Sequence, residues 1–251
     1  MIILKRFIIM LQFFTSIPIP INIDCDEKDY GEGLVLAPFI GLILGLIICL
    51  FYKVLSFLLP VNISTAFLIV VYIVLTGGLH LDGLGDTFDG LFSNRPKERI
   101  LEIMRDSRVG TNAVLALISI IILNYALISG LDANVTMMRA LVLFPVAGRI
   151  GSLFGAGISV YARKTEGLGK SFIDCCGKKE MFLGGILAIG IFFAILGLKG
   201  LVMAVVMMIT AVLVTKIFTK KINGATGDIL GAVCELNQTI FLLLYYILGE
   251  I

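Results

Sequence analysis

Seven apolar segments, each long enough to cross a membrane, constrain the fold of this chain more than any other feature. A transmembrane helix needs about 20 mostly apolar residues. The segments lie at 34–59, 63–79, 111–131, 135–160, 181–198, 200–218 and 229–248. Only 15% of the residues are charged, whereas soluble domains average about a quarter. The sequence therefore predicts an all-α, polytopic membrane helical bundle of about seven transmembrane helices, with residues 1–251 forming a single integral membrane domain.

The N-terminal segment predicts an additional helix that lies on the membrane surface. An apolar run follows Lys5 and Arg6, but no small-residue cleavage pattern of a signal peptide follows it. Lys5, Arg6 and Gln12 gather near one helical face, and the prolines of SIPIP end the helix. This distribution is typical of an interfacial helix.

The basic residues are strongly asymmetric along the predicted topology. Sixteen of the 20 would fall on one side of the membrane if the seven spans alternate: Lys5, Arg6, Lys28, Arg95, Lys97, Arg99, Arg105, Arg108, Arg163, Lys164, Lys170, Lys178, Lys179, Lys216, Lys220 and Lys221. The positive-inside tendency places that side in the cytoplasm. We therefore expect a multi-pass protein of the plasma (inner) membrane whose polar loops, and any active site, face the cytoplasm. The net charge of only +2 argues against a duplex nucleic-acid partner.

Glycine and cysteine usage adds two smaller expectations. Gly41 with Gly45, and Gly151 with Gly155, have the spacing that lets membrane helices pack closely. These pairs serve contacts within one chain as readily as contacts between subunits, so a homo-oligomer is left open. The five cysteines form no CxxC pair and are expected to be unpaired thiols rather than metal ligands.

The segment GGLHLDGLGDTFDG, residues 77–90, is the clearest candidate site. On a helix, Asp82, Asp86 and Asp89 fall within roughly 60° of one another. Carboxylates this close repel one another unless a cation lies between them, and oxygen ligands are what Mg²⁺ prefers. The spacing predicts a magnesium site. His80, the only histidine, is either a general base, a phosphate contact or a structural hydrogen-bonding group.

Four further polar segments on the same predicted side could contribute. FFTSIPIP offers the hydroxyl of Thr15, or is simply a helix breaker. RDSRVGTNA offers Arg105 and Arg108 for phosphates, with Asp106 to orient one of them or to join the metal shell, or is simply a cationic loop that follows the positive-inside rule. ARKTEGLGKSF contributes Lys170 from a glycine-flanked loop that is not a Walker motif, and NGATGDILGAVCE contributes Asn223 and Asp228. Asp228 and Glu235 share one face of the last helix and either pair with Arg139 or Arg149 or line a reaction cavity.

Taken together, FFTSIPIP, GGLHLDGLGDTFDGLF, RDSRVGTNA and NGATGDILGA resemble the adenosylcobinamide-GDP ribazoletransferases, the membrane cobalamin-5′-phosphate synthases. The resemblance runs from residue 7 to about residue 235, with Ser16 standing where arginine is common in the family. It implies an Mg²⁺-dependent enzyme that joins adenosylcobinamide-GDP to α-ribazole or its 5′-phosphate. GMP leaves, and adenosylcobalamin or its 5′-phosphate is formed.

Within that reaction, the resemblance and the residue chemistry assign roles that we treat as expectations. Metal binding falls to Asp82, Asp86 and Asp89, and catalysis to His80, Asp82 and Asp86. Substrate binding is expected of Thr15, Arg105, Asp106, Arg108, Lys170, Asn223 and Asp228. Two alternatives stay open: another membrane phosphotransferase of the CDP-alcohol type, whose full motif is not met here, and a cation-coupled transporter.

Overall fold

The computed structural model describes residues 2–132 and 135–248. The helices are α1 (Ile2–Phe14), α2 (Glu27–Gly33), α3 (Ala37–Leu58), α4 (Val61–Thr76), α5 (Leu79–Leu91), α6 (Lys97–Ile103), α7 (Thr111–Ser129), α8 (Val135–Gly157), α9 (Leu168–Asp174), α10 (Lys178–Leu196), α11 (Leu198–Thr219) and α12 (Gly227–Leu248). The described residues form no β-strand; their one β-bridge pairs Tyr161 with Ala225. The predicted all-α membrane class is confirmed.

The candidate spans agree with the predicted number. Six helical stretches are long and apolar enough to cross a membrane, and α4 with α5 makes a seventh if the bent pair is counted as one span. The axes of α4 and α5 differ by 90°. The bend occurs at Gly77 and Gly78, whose φ angles of +61° and +68° lie in the left-handed region that glycine adopts without strain. The aspartate motif therefore has its own helix, turned away from the preceding span.

Helices α8 and α12 form the centre of the bundle. Glycine makes their close packing possible: a Cβ built on Gly41 would lie 2.7 Å from the carbonyl oxygen of Pro145, and one on Gly151 would lie 2.8 Å from that of Val233. The first contact joins α3 to α8 and the second joins α8 to α12. Both small-residue pairs thus serve packing within the chain.

The N-terminal helix α1 is anchored by ion pairs to α2. The amino group of Lys5 lies 2.5 Å from a carboxylate oxygen of Asp29, and the guanidinium of Arg6 lies 2.6 Å from Glu32. Its last turn buries Phe14 in the core. The helix is present as predicted, and its position on the membrane surface stays a prediction.

Candidate active site

Helices α5 and α12 are in near backbone contact, and this contact brings two distant polar segments together. A Cβ on Gly83 would lie 2.8 Å from the carbonyl oxygen of Asp228, and one on Gly231 would lie 3.2 Å from that of His80. Any larger side chain at either position would separate the helices. The glycines therefore place the aspartate motif beside the start of the last helix, 140 and more residues further along the chain.

A cavity of about 220 Å³ opens at this contact. Its polar wall includes His80, Asp82 and Asp228, and its apolar wall includes Phe13, Phe14 and Phe172. Asp82 is exposed and Asp228 is half-buried. Three of the predicted site residues, drawn from two of the five polar segments, therefore share one cavity, and the FFTSIPIP segment reaches it through its two phenylalanines.

Asp228 is held by an arginine that the sequence did not single out. The guanidinium of Arg163 donates to Asp228 at 3.0 Å, and the Thr226 hydroxyl donates to the same carboxylate at 3.1 Å. Backbone bonds between residues 160–162 and Ala225, at 2.8 and 2.9 Å, fix the loop that carries Arg163. Of the two alternatives for Asp228, the structure places it in the cavity wall and pairs it with neither Arg139 nor Arg149.

The three aspartates of the motif have different surroundings. Asp89 accepts backbone N–H groups from Gly110 at 2.6 Å and from Ala113 at 2.9 Å, and so caps the start of α7. Asp86 is half-buried and, within residues 2–132 and 135–248, makes no hydrogen bond or ion pair through its side chain. Asp82 faces the cavity. Of the three motif aspartates, Asp82 and Asp86 are therefore the ones whose carboxylates have no hydrogen-bond or ion-pair partner among the described residues.

His80 is buried in the inner wall of the cavity. Its ring stacks on Phe14 with centroids 5.6 Å apart, and its Nδ1 has no hydrogen-bond partner among the described residues. Cys234 and Glu235 lie behind it, with the ligand atoms of all three residues within 4.8 Å of one another. This trio is a candidate metal cluster by distance, although the charge of the neighbouring Arg149 opposes a second cation there.

Arg149 is fully buried beneath the cavity. It donates to the Tyr72 hydroxyl, which in turn donates to Gln238, and its Nε and Nη2 have no partner among the described residues. No described carboxylate lies within the 4.0 Å of an ion pair from Arg149. Glu235 therefore makes no salt bridge with Arg149, and both groups belong to a polar layer below His80.

The predicted phosphate-binding residues lie outside the cavity wall, Arg105 and Arg108 in the loop after α6 and Lys170 in α9. Arg105 donates to the Thr165 hydroxyl, which connects the loop after α6 to the loop before α9. Arg108 is exposed and pairs with Asp106 at 2.6 Å, and this hydrogen bond lowers the pKa of Asp106 to about 2. Lys170 lies 3.4 Å from Glu166, whose charge raises the lysine pKa.

Thr15 and Asn223 have local structural contacts. The Thr15 hydroxyl donates to the Leu11 carbonyl at 2.6 Å and accepts the backbone N–H of Ile17. Asn223 adopts φ of +52° in the turn before α12 and lines a separate groove with Lys216 and Lys220. Neither side chain lines the cavity, so their predicted contact with substrate has no geometric support here.

Two parts of the site were absent from the prediction: Arg163, which holds Asp228, and the aromatic wall of the cavity. Arg163 was visible in a basic, glycine-rich segment, but nothing in the sequence separated it from its neighbours. In the sequence, the residues of the aromatic wall are only apolar residues close to the polar motifs: Phe13 and Phe14 precede Thr15, and Phe172 lies two residues after Lys170. Apolar residues next to a polar motif were the available signal.

Comparison with known proteins decides the family. Residues 6–246 match the family described as cobalamin-5-phosphate synthase. The chain belongs to this family. Relatives named adenosylcobinamide-GDP ribazoletransferase are 58% identical in Acetivibrio thermocellus, over 97% of this chain and 98% of the relative, and 54% identical in Clostridium acetobutylicum, over 96% of each. A third, from Alkaliphilus metalliredigens, is 41% identical over 96% of this chain and 94% of the relative.

No solved structure matches the chain at a significant level. The family match makes the protein a transferase of cobalamin biosynthesis. It favours this function over the two alternatives, a cation-coupled transporter and a phosphotransferase of the CDP-alcohol type. The resemblance seen in the sequence is confirmed.

Proposed function

We propose that this chain joins adenosylcobinamide-GDP to α-ribazole or its 5′-phosphate in an Mg²⁺-dependent reaction that releases GMP at the cytoplasmic side of the plasma membrane. One observation carries the proposal: Asp82 from α5 and Asp228 from α12 line the same cavity, Arg163 pairs with Asp228, and Asp86 lies near enough to interact electrostatically with all three. Carboxylates from two helices, next to a guanidinium, suit the recognition of a metal-bound pyrophosphate.

The residues fit Mg²⁺ on the chemistry of their donor atoms. Asp82 and Asp86 offer carboxylate oxygens without protein partners among the described residues, while both oxygens of Asp89 accept backbone N–H groups. We therefore assign the metal chiefly to Asp82 and Asp86, with Asp89 fixing α5 against α7. A bound Mg²⁺ would neutralise pyrophosphate oxygens and so stabilise the departure of GMP.

The other residues bind and orient the substrates. Arg163, held by Asp228, can donate to a phosphate oxygen; Arg105, in the loop after α6, and Lys170, in α9, are further candidate cations. His80 presents its ring to the cavity and, with Asp82 close by in the same helix, can accept the proton of the attacking hydroxyl.

The aromatic wall suits the planar base of α-ribazole. The ring centroids of Phe13 and Phe172 are 4.6 Å apart, and those of Phe14 and Phe172 are 6.3 Å apart, within the range in which aromatic rings attract one another. The cavity has a volume of about 220 Å³. We therefore place the planar nucleoside base in it and the much larger corrinoid outside it.

The test uses purified protein in lipid with adenosylcobinamide-GDP, α-ribazole and Mg²⁺, assayed for GMP and cobalamin. The wild type should form both products and should stop when a chelator removes the metal. Asp82→Asn should lose at least a hundredfold in rate while remaining folded. The matched control is Asp132→Asn, the same change at an exposed aspartate after α7.

Two results would contradict the proposal. Folded wild-type protein that forms neither product would refute the reaction. Near-normal turnover by Asp82→Asn, with Asp132→Asn also active, would refute the metal assignment while leaving the reaction intact.

A further inference from the structure

An apolar groove lies at the end of the bundle opposite the candidate active site. It has a volume of about 420 Å³, and its walls come from the start of α8, the α10–α11 turn and the end of α12. We call it the distal groove; its lining residues are Thr136, Arg139, Leu196, Lys199, Val202, Met203, Val206, Leu244, Tyr245 and Leu248. Leu248 is 20 residues from Asp228 along α12, about 30 Å at the helical rise.

Few basic residues lie at this end of the bundle, and those that are not buried lie in grooves. Only Lys53, Arg139, Arg149 and Lys199 lie outside the sixteen basic residues grouped on the side of the aspartate motif. Arg149 is buried in the core. Arg139 and Lys199 line the distal groove, and Arg139 and Lys53 line an adjacent apolar groove of about 430 Å³. Apart from the buried Arg149, every basic residue that departs from the charge asymmetry therefore lines one of these two grooves.

These cations have no acidic partner in the described part of the chain. Neither Arg139 nor Lys199 lies within 4.0 Å of a described carboxylate. A cation near the hydrocarbon region is costly unless it reaches the membrane surface or meets an anion. The groove thus offers two positive groups that a negatively charged ligand would complement.

The groove also has the depth that an acyl chain needs. Lys199 is the second residue of α11, and Val206 is seven residues further along, about 10 Å deeper. The wall is apolar over that depth, and Val202 is 66% exposed. The Tyr245 hydroxyl donates to the Thr136 carbonyl at 3.1 Å, which closes the wall between α8 and α12. A polar opening therefore leads to an apolar slot.

We infer that the distal groove binds an anionic phospholipid from the membrane leaflet opposite the active site. Arg139 and Lys199 hold its headgroup phosphate, since a guanidinium makes paired hydrogen bonds to phosphate oxygens. One acyl chain lies along Val202, Met203 and Val206. A zwitterionic lipid carries its own cation and complements this pair of charges less well.

The test measures lipid retention by native mass spectrometry on delipidated protein in detergent, with phosphatidylglycerol and phosphatidylcholine offered in turn. We expect one phosphatidylglycerol to bind more tightly than phosphatidylcholine. Each cation contributes about fivefold, so Arg139→Gln/Lys199→Gln should weaken phosphatidylglycerol binding about 25-fold. The matched control is Lys178→Gln/Lys179→Gln, two exposed lysines at the other end of α10.

Two further arms identify the source of the phosphate and the place of binding. Inorganic phosphate at millimolar concentration should not displace the lipid, because the acyl chain contributes to binding. A phosphatidylglycerol with a photoreactive acyl chain should crosslink to α11 near residues 202–206.

Equal retention of the two lipids, an unchanged affinity in the groove double variant, or crosslinks away from α11 would each overturn the inference. Displacement by inorganic phosphate would show that the cations bind free phosphate rather than lipid. None of these results depends on turnover, so the proposed reaction can stand or fall separately.

Discussion

Replacing Gly83 by alanine is the sharpest test of how the site is assembled. A Cβ at this position would lie 2.8 Å from the carbonyl oxygen and 3.0 Å from the Cα of Asp228, both backbone atoms of α12. Ordinary contact begins at 3.4 Å, so α5 and α12 would have to separate by about 0.6 Å. Because backbone cannot rotate away as a side chain does, the helices themselves must shift.

The size of the effect follows from this displacement. Overpacking of this kind costs about 1–3 kcal/mol, and replacing glycine by alanine in a helix returns up to about 1 kcal/mol. The net loss of stability should therefore be about 0–3 kcal/mol. Activity should suffer more, because Asp82 and Asp228 move apart, and misplacements near 1 Å can cost about a hundredfold. We expect kcat/KM to fall ten- to a hundredfold.

Gly85→Ala is the matched control in the same helix. Its Cβ would lie 3.3 Å from the Cβ of Ala113, so a movement of about 0.1 Å suffices. We expect activity within about threefold of the wild type and equal or higher thermal stability. GMP release at several substrate concentrations and thermal unfolding in detergent measure both effects. Full activity in Gly83→Ala, or equal damage in Gly85→Ala, would refute the contact as the cause.

Three further predictions concern the surroundings of the site. Asp89→Ala removes the acceptor for two backbone N–H groups of α7 and should lower the free energy of unfolding by about 1–2 kcal/mol, with a smaller loss for Asp89→Asn; thermal unfolding measures it. A membrane-impermeant thiol reagent should fail to modify exposed Cys25 in intact cells and should modify it after permeabilisation, whereas reaction in intact cells would reverse the predicted topology. Because the hydrogen bond from Arg108 lowers the pKa of Asp106 to about 2, the carboxylate should stay ionised and keep this contact until the pH falls toward 2. In a carbon-13 titration of the Asp106 carboxyl group, a midpoint near pH 4 would show that the contact is absent.

The membrane architecture could be predicted because each span carries its own signal. Long apolar runs specify their helices locally, and the predicted runs correspond to α3, α4, α7, α8, α10, α11 and α12. The bend at Gly77 and Gly78 was less accessible, since two adjacent glycines permit a turn without specifying its angle. The motif could be located from the sequence, whereas the 90° angle and the contact of α5 with α12 could be seen only in the structure.

The acidic residues of the site could be predicted from the sequence more readily than the residues that contact them. The spacing of the three aspartates along the chain is a local property of the sequence, and the helix that carries them is present as expected. The partner of Asp89 is the backbone of residues 110–113, and that of Asp228 is Arg163, 65 residues earlier in the chain. Such contacts depend on loop positions that no local pattern specifies.

The five glycines of GGLHLDGLGDTFDG explain why a membrane protein can hold so many acids in one helix. Gly77 and Gly78 turn the helix away from the preceding span, and Gly83 lets it touch α12. The acids then face different surroundings: Asp89 satisfies the backbone of α7, and Asp82 opens to the cavity. Their mutual repulsion is reduced because they are not all directed at one point. The regular spacing of the aspartates therefore places them on one helix, and the glycines that position this helix give the aspartates their different surroundings.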